Sequence, residues 1–371
     1  MFTIKKTICV KIFEPTKIKE RLLGDILTIS GNLSRFYVNE MESLGTSNKA
    51  IVHKETYTKV KCTYPEFPTG LIQTIRDKSI ETYKSYKALI KKSKKATLPQ
   101  FTNPVVRYDC RTFTLYKSEN SFEYFVSLST PKGRVRLPIQ FGSFQLNILN
   151  GLSDKSLKFC TAELKFSKRL KHYILNITYE YEVEETTTSN VCGIDLGLIN
   201  YAVFAVPGQI NFFKGSKSNQ KRKHYAELRR KLGKKKLLKK IKSIGSKEQR
   251  YMKDVNHKIS GNIVKFAKNQ KAIIQMEKLT DIRERINYTK KLNKQLHNWN
   301  FRQLQIFIEY KANAEGIPVL YIDPRNTSRK CHKCGHIEKN NRPRQNYFHC
   351  VKCGFTSNAD YNAARNIAET F

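Results

Sequence analysis

Four cysteines near the end of the sequence place the strongest restriction on how this chain folds. Cys331 and Cys334 form one Cys-x2-Cys pair, Cys350 and Cys353 form a second, and fifteen residues separate the two pairs. This spacing is typical of a zinc ribbon, in which four thiolates surround one zinc ion. A closed site of four thiolates leaves no position for water, so we expect a structural Zn²⁺ ion. A glycine directly follows each pair, as a tight metal-binding turn requires: Gly335 and Gly354.

The net charge indicates the class of partner. The 371 residues include 69 Lys+Arg and 31 Asp+Glu, which gives a formal charge of +38. A charge of this size repels itself and favours a polyanionic partner, with nucleic acid as the leading candidate and an anionic membrane surface as the alternative. The basic residues are dense between Lys214 and Arg250, where 16 Lys+Arg accompany only two acids. We expect this segment to contact the phosphate backbone of RNA, or else to form a solvated helix face.

Cellular location is expected from two absences in the sequence. No run of about 18 apolar residues predicts a membrane-spanning helix, and the first twenty residues carry charges too early for a secretory signal. We therefore expect a protein that is not secreted, has no membrane partner and works in the cytoplasm near the nucleoid.

Outside the ribbon, five more cysteines lie in apolar or strand-like runs, and we expect buried free thiols there: Cys9, Cys62, Cys110, Cys160 and Cys192.

The first half of the chain predicts a β barrel interrupted by helices. A first strand lies in "MFTIKKTICVKIF", and apolar residues recur at helical spacing from Thr16 to about Leu44 and from about Thr69 to Lys95. The segments after residue 100 are rich in Val, Phe, Tyr and Thr, which favours antiparallel strands. We expect an α+β multidomain protein whose barrel comprises residues 1–13 and 100–186, with a helical insertion at 14–99.

The second half predicts a different architecture. After the polar linker near residues 184–190, the order is three strands, a basic helical segment, a strand, a helix, a strand and a final helix. This is the order of the ribonuclease H fold. The expected α/β domain comprises residues 190–328 and 357–371, and the cysteine ribbon, 329–356, is an insertion before the last helix.

Three isolated acids fall at corresponding places in this predicted fold. Asp195 ends the first strand between Gly193 and Gly197, Glu277 ends the strand "AIIQME", and Asp360 begins the final helix. Taken singly, each acid has an ordinary alternative, namely a turn, a strand end reaching solvent, or a helix cap. Together, they form the arrangement that holds two divalent cations about 4 Å apart for phosphodiester hydrolysis. Oxygen ligands favour Mg²⁺ or Mn²⁺, and the glycines would let the backbone approach a phosphate closely.

The motifs resemble those of a known family. "GIDLG", "MEKL", "NTSRKCHKCG", "FHCVKCGF" and "NADYNAARNI" are similar to the RuvC-type nuclease and zinc ribbon of the TnpB family, over Val191 to Ile367. These transposon-encoded, RNA-guided DNA endonucleases are related to miniature type V CRISPR effectors. The resemblance implies that Asp195, Glu277 and Asp360 are catalytic metal ligands and that Arg329 lies near the scissile phosphate. Asn358 stands where many relatives have Asp, a departure that puts none of the catalytic acids in doubt.

The resemblance also implies domain roles and a function. The barrel corresponds to a wedge domain, the helical insertion to a recognition lobe, and the ribbon to a part that binds target nucleic acid. The expected protein is a monomeric ribonucleoprotein that cleaves target DNA next to a short DNA motif. Its partners would be a guide RNA, double-stranded target DNA and the displaced strand. The alternatives are a guide-directed DNA-binding regulator that has lost cleavage, a plain zinc-ribbon RNA-binding or transcription protein, and a miniature type V CRISPR effector.

Overall fold

The computed structural model describes residues 2–93, 96–119, 122–279 and 301–369. The chain divides into two compact units, Thr3–Glu182 and Val183–Phe371, the latter together with the first two residues. Each unit has its own architecture. Among the described helices, none has the length and apolar character needed to cross a bilayer.

The first unit contains a seven-stranded sheet that curves into a nearly closed barrel. Its strand order is β2-β6-β7-β1-β5-β4-β3, so the N-terminal strand lies in the middle of the sheet, and the predicted barrel completed by this strand is confirmed. Alternating apolar residues turn one face of each strand inward, as Val135, Leu137 and Ile139 do in β5. The strands are β1 (Phe2–Ile12), β2 (Val105–Tyr108), β3 (Phe113–Lys117), β4 (Tyr124–Thr130), β5 (Gly133–Gln140), β6 (Lys158–Ser167) and β7 (His172–Val183).

Helices pack against this sheet and share its hydrophobic core. They are α1 (Lys17–Ser43), α2 (Lys49–Thr63), α3 (Thr69–Ser93) and α4 (Ser143–Ser153). The predicted first helix is confirmed, and Thr16 caps it by accepting a hydrogen bond from the backbone of Lys19. The second predicted helix is confirmed as far as it is described. Sequence reasoning missed α2 and α4; only Val52, Thr56 and Val60 are buried along α2, a stripe too narrow to stand out. The division into wedge domain and recognition lobe stays a prediction.

The expectation of buried thiols outside the ribbon is wrong for most of these cysteines. Cys9, Cys62 and Cys110 are exposed, Cys160 is half-buried and only Cys192 is buried. In β1 the reason is the two-residue period of a strand, which buries Ile8 and Val10 and turns Cys9 outward between them. Apolar neighbours in the sequence therefore did not imply burial of the cysteine.

The second unit has the strand order of the ribonuclease H fold, as predicted. Its five-stranded sheet runs β10-β9-β8-β11-β12, with β8, β11 and β12 parallel and β9 and β10 antiparallel to their neighbours. The strands are β8 (Val191–Asp195), β9 (Asn200–Val206), β10 (Gln209–Lys214), β11 (Ile273–Glu277) and β12 (Val319–Ile322). The helices are α5 (Ser216–Lys234), α6 (Leu238–Ile244), α7 (Lys247–Asn269), α8 (Phe301–Asn313) and α9 (Ala359–Glu369).

The cysteine ribbon lies between β12 and α9 along the chain, which is the predicted place of insertion. It contains a 3-10 turn at Lys339–Asn341 and a two-stranded antiparallel ladder, β13 (Tyr347–His349) with β14 (Thr356–Asn358). Its small core consists of Cys331, Phe348, Cys350 and Ala359. Because four residues make only a minimal core, we expect the ribbon to depend on a metal for its stability.

Candidate functional site

The structure brings the three predicted acids to one edge of the ribonuclease H sheet. Asp195 is the last residue of β8, and Glu277 is the last residue of β11, the adjacent parallel strand. Their carboxyl ends lie side by side because Ile194 pairs with Met276 in the ladder. Asp360 lies in the first turn of α9, which packs on β8 and β9. Residues far apart in sequence thus form one acidic centre.

The electrostatics of this centre are those of crowded carboxylates. Burial raises the pKa of Asp195 well above its usual 3.8, and the charges of Glu277 and Asp360 raise it further. Burial likewise raises the pKa of Glu277, while a hydrogen bond from Thr327 and the charge of Arg342 act in the opposite direction. A bound cation would stabilise the anionic form of Asp195 and Glu277, and oxygen donors suit hard cations, so this donor set fits Mg²⁺ or Mn²⁺.

Neutral and basic side chains hold the acids in the described structure. Arg342 Nη2 lies 3.0 Å from Asp360 Oδ1, and Asn200 Nδ2 donates to Asp360 Oδ2 at 2.8 Å. Thr327 Oγ1 donates to Glu277 Oε1, and Gln305 Nε2 donates to the backbone carbonyl of Glu277 at 2.8 Å. None of these four partners was named from the sequence. They come from four separate segments, and only Thr327 lies in a quoted motif, "NTSRKCHKCG", which does not by itself show that its hydroxyl reaches Glu277.

The arginine found beside the acids is Arg342, whereas the arginine predicted to lie near the scissile phosphate is Arg329. Arg329 is exposed, and its backbone N–H donates to Asn326 O at 2.9 Å within the turn before the ribbon. The positive charge that acts on Asp195 and Glu277 belongs to Arg342, inside the ribbon. Folding of the ribbon carries Arg342 to Asp360, and the spacing along the chain gave no sign of this. The role of Arg329 at a scissile phosphate stays a prediction.

The glycines beside Asp195 allow close packing of the surrounding backbone. A Cβ on Gly193 would lie 2.0 Å from Ala364 O and 2.6 Å from Ala368 N, both in α9. A Cβ on Gly197 would lie 2.8 Å from Asn200 O in the turn that leads to β9. Gly193 allows close contact between helix and strand, which brings Asp360 near Asp195, while the approach of a phosphate to this strand end stays a prediction.

The four ribbon thiols form a site with the dimensions of a zinc centre. Their sulfur atoms lie within 4.8 Å of one another, with 3.8 Å between the sulfurs of Cys331 and Cys353 and 3.5 Å between those of Cys334 and Cys350. A tetrahedral zinc with Zn–S bonds of about 2.3 Å separates its sulfurs by about 3.8 Å. The spacing of the four cysteine sulfurs therefore fits a bound zinc ion. In the described part of the chain, the three carboxylates are not gathered as closely as these thiols.

Each Cys-x2-Cys pair forms a tight turn that a glycine closes. Gly335 N donates to Cys331 O at 2.8 Å and Gly354 N donates to Cys350 O at 2.9 Å, with positive φ angles of 74° and 70° at the glycines. The predicted tight turns at Gly335 and Gly354 are therefore confirmed. Burial would raise the pKa of Cys350, but backbone N–H groups of the knuckle, with neighbouring thiols, hold it at about 6.

Asparagine side chains connect parts of the ribbon to each other and connect the ribbon to α9. Asn341 Nδ2 donates to Arg329 O and to His336 O, and its Oδ1 accepts from Val351 N at 3.0 Å. Asn358 caps α9 by accepting from the backbone N–H of Asp360 at 2.9 Å. The residue that departs from many relatives thus positions a predicted catalytic acid.

The basic segment Lys214–Arg250 covers α5, α6 and the start of α7. Every lysine in it is exposed. Glu248, one of its two acids, is paired with Arg229 at 2.6 Å and lies 3.9 Å from Arg222. The exposed lysines therefore form a positively charged surface, as the sequence predicts, while contact with RNA stays a prediction.

Comparison with known proteins agrees with this geometry. A family model described as the TNB domain of Cas12f1-like proteins matches residues 301–367. The CRISPR-associated endodeoxyribonuclease Cas12f1 of Sulfoacidibacillus thermotolerans is 28% identical over 90% of this chain and 83% of the relative. A TnpB-like protein of Methanocaldococcus jannaschii is 36% identical over 34% of this chain and 45% of the relative.

Solved structures extend the likeness to the whole fold. The chain resembles Cas12f1 in a cryo-EM structure of a Cas12f1–sgRNA–target DNA complex with a TM-score of 0.70, at 16% identity, over 99% of both chains. CasPhi-2 bound to crRNA gives a TM-score of 0.61 at 11% identity, over 98% of this chain and 97% of the other. At such identities the likeness concerns the fold alone. In sequence this chain is similar to TnpB-like and Cas12f1 proteins, and in fold it is similar to Cas12f1.

Proposed function

We propose that this protein is an RNA-guided DNA endonuclease that hydrolyses DNA phosphodiesters at Asp195, Glu277 and Asp360. The observation that carries the proposal is the convergence of these acids at one edge of a ribonuclease H sheet, where Glu277 and Asp360 both oppose the ionisation of Asp195. The names of the relatives support the activity, since they include CRISPR-associated and RNA-guided DNA endonucleases.

The residues of the centre would divide the work. Asp195, Glu277 and Asp360 would hold two divalent cations, Mg²⁺ or Mn²⁺, which when bound supply charge to activate water and to stabilise the leaving oxygen. Asn200 orients Asp360 through its 2.8 Å hydrogen bond. Arg342, 3.0 Å from Asp360, is placed to exchange that carboxylate for a DNA phosphate and to offset its negative charge. Arg329, which is exposed, remains the other candidate for a phosphate contact.

The partners would be a guide RNA, the double-stranded target and the displaced strand. A solved relative of the same fold is bound to sgRNA and target DNA, and the exposed lysines of α5 and α6 offer a surface for a phosphate backbone. The four thiols would hold one structural Zn²⁺, which keeps the ribbon and Arg342 in place beside the acids. We propose a monomeric ribonucleoprotein that works beside the chromosomal DNA, on a target next to a short DNA motif.

Two alternatives differ in testable ways. A guide-directed regulator would bind the same target without cutting it. A miniature type V CRISPR effector would cut it with a CRISPR-derived guide, and the relatives include both Cas12f1 and TnpB-like proteins. Sequencing the RNA that copurifies with the protein distinguishes a CRISPR guide from a transposon-derived one.

The test of the active site is a cleavage assay on guide-matched duplex DNA, run beside a binding assay. Asp195→Ala should lower the cleavage rate by more than about 100-fold, because a site that lacks one ligand loses charge and geometry together. Adding Glu277→Ala should cost little more, since the acids act as a unit. Guide and target binding should persist, because they depend on basic surface and base pairing.

The matched control is Asp254→Ala, which removes an exposed acid of α7 that is paired with Lys258 at 2.8 Å. This variant should cut normally. Chelation by EDTA should stop cleavage before zinc leaves the ribbon. Full cutting by Asp195→Ala would overturn the assignment, and an equal loss of binding and cutting would mean that the acids serve folding.

A further inference from the structure

Thr327 lies in the turn between β12 and the ribbon, with its hydroxyl directed at Glu277. The residue is 7% exposed, and its Oγ1 contacts Glu277 Oε1 and lies 3.1 Å from Pro324 O. A hydroxyl has a single hydrogen, so it donates to one of these oxygens at a time. An ionised carboxylate is the stronger acceptor, which favours the bond to Glu277.

The backbone of Thr327 is held in turn by α9. Asn366 Nδ2 donates to Thr327 O at 2.8 Å and to Lys330 O at 2.6 Å, which uses both of its amide hydrogens. One turn earlier, Asn362 Nδ2 donates to Lys330 O at 2.8 Å, and Asn362 Oδ1 accepts from His332 N at 3.1 Å. Both asparagines are at most 1% exposed. Buried amides that carry several hydrogen bonds to backbone fix the turn rigidly against the helix.

We propose that Thr327 is a positioning residue for Glu277, kept in place by α9 through Asn366. A carboxylate held at Oε1 cannot rotate freely, so the bond from Thr327 fixes the direction in which Oε2 is presented. Helix α9 then sets two acids at once: it carries Asp360 directly and orients Glu277 through Thr327. The inference rests on the proposed function, because it requires a divalent cation at Glu277.

A purely structural role for the hydroxyl makes a different prediction. If it serves only the turn, through Pro324 O, then its loss affects stability and leaves cation binding unchanged. Thr327→Val keeps the shape of the side chain and removes the hydroxyl, whereas Thr327→Ser keeps the hydroxyl and removes the methyl group. The pair of variants therefore separates the hydrogen bond from the packing.

The experiment measures Mn²⁺ binding to the full-length, zinc-loaded protein, from the electron paramagnetic resonance signal of free Mn²⁺. Mn²⁺ sites that are present in the wild type and absent from Asp195→Ala belong to the acidic centre. Thr327→Val should raise the Kd for Mn²⁺ at these sites by about 10- to 100-fold, as is usual when a partner that orients a metal ligand is removed. Thr327→Ser should bind Mn²⁺ nearly as tightly as the wild type.

The matched control is Thr74→Val in the first unit. Thr74 is 8% exposed, and its hydroxyl donates to Arg107 O at 2.6 Å, so the change removes a similarly buried hydroxyl that contacts none of the three acids. Its Mn²⁺ affinity should equal that of the wild type. Zinc content and thermal unfolding, measured on every variant, report on folding.

Three results would overturn the inference: unchanged Mn²⁺ affinity in Thr327→Val, equal losses in Thr327→Val and Thr327→Ser, or loss of zinc in Thr327→Val. The second would show that the effect is not specific to the hydroxyl, and the third would make Thr327 a structural residue of the ribbon. A wild-type protein without any Asp195-dependent Mn²⁺ site would instead contradict the proposed function itself.

Discussion

At the scale of single residues, Asp195 is suited to bind a cation, but its buried carboxylate lowers the stability of the fold when no cation is bound. Its carboxylate is drawn into the protein at the end of β8 and faces the charges of Glu277 and Asp360, so its pKa lies well above 3.8. The charge of Arg342 offsets part of this effect. A site built to bind cations is therefore electrostatically strained when cations are absent.

This strain predicts how stability depends on pH. Because the pKa of Asp195 is raised in the folded state, the folded protein binds more protons than the unfolded chain between pH 3.8 and the raised value. Stability from this group is thus greatest at low pH and falls as the pH rises through that window. Asp195→Asn has no proton to lose, so in cation-free buffer it should unfold at a higher temperature than the wild type at pH 8. The difference should narrow toward pH 5.

Thermal melts at several pH values, with Asp254→Asn as an exposed control, check this prediction. Adding Mn²⁺ should reverse the order, because only the wild type gains stability from binding the ion. A variant that is less stable than the wild type at every pH would contradict the assignment of strain to Asp195.

At the scale of elements, α9 organises the site. Its backbone lies against β8 at Gly193, Asn358 caps its first turn, and its asparagines hold the root of the ribbon. The close contact at Gly193 is a matter of size, because a Cβ there would lie 2.0 Å from a backbone oxygen of the helix. The position of Asp360 relative to Asp195 thus depends on residue 193 being a glycine, which has no Cβ.

Gly193→Ala tests this contact. It should destabilise the second unit by about 1 to 3 kcal/mol, the usual cost of forcing an extra methyl group into a packed interior. It should also lower cleavage, since α9 must shift and Asp360 moves with it. The control is Gly233→Ala in α5, where a Cβ meets no atom within 4 Å. That variant should be neutral or more stable by up to about 1 kcal/mol. Equal stabilities in chemical denaturation would argue against tight packing at Gly193.

At the scale of the whole molecule, charge determines the class of partner. The +38 formal charge is concentrated in part on the exposed lysines of α5, α6 and the start of α7. Lysines that contact phosphates release condensed counterions, which makes binding depend steeply on salt. A surface of this kind supplies affinity that is independent of sequence, while specificity is left to base pairing.

Replacing Lys234, Lys235 and Lys236 with glutamine tests this surface. Binding of guide RNA should weaken for all sequences, and the slope of log affinity against log salt should fall by up to about three units. The matching arginine replacements keep the charge and should leave the slope unchanged. An unchanged slope in the glutamine variant would show that these lysines form only a solvated helix face.

Local patterns in the sequence were sufficient to predict the ribbon, the strand order and the place of the three acids. Ligand spacing and side-chain periodicity are properties of neighbouring residues, so Cys331, Cys334 and the strand ends at Asp195 and Glu277 could be recognised without the fold. Caps and turns also depend on neighbouring residues, so the role of Gly335 in the turn after its Cys-x2-Cys pair could be predicted in the same way.

The tertiary structure decided which further residues meet the acids. Arg342, rather than Arg329, lies beside Asp360 because the ribbon folds back on the helix that follows it. Gly193 allows α9 to pack closely on β8, and Thr327 reaches Glu277 because α9 holds its turn. Each of these contacts joins residues from separate elements. They depend on how the packed elements meet, which the periodicity of any single element does not contain.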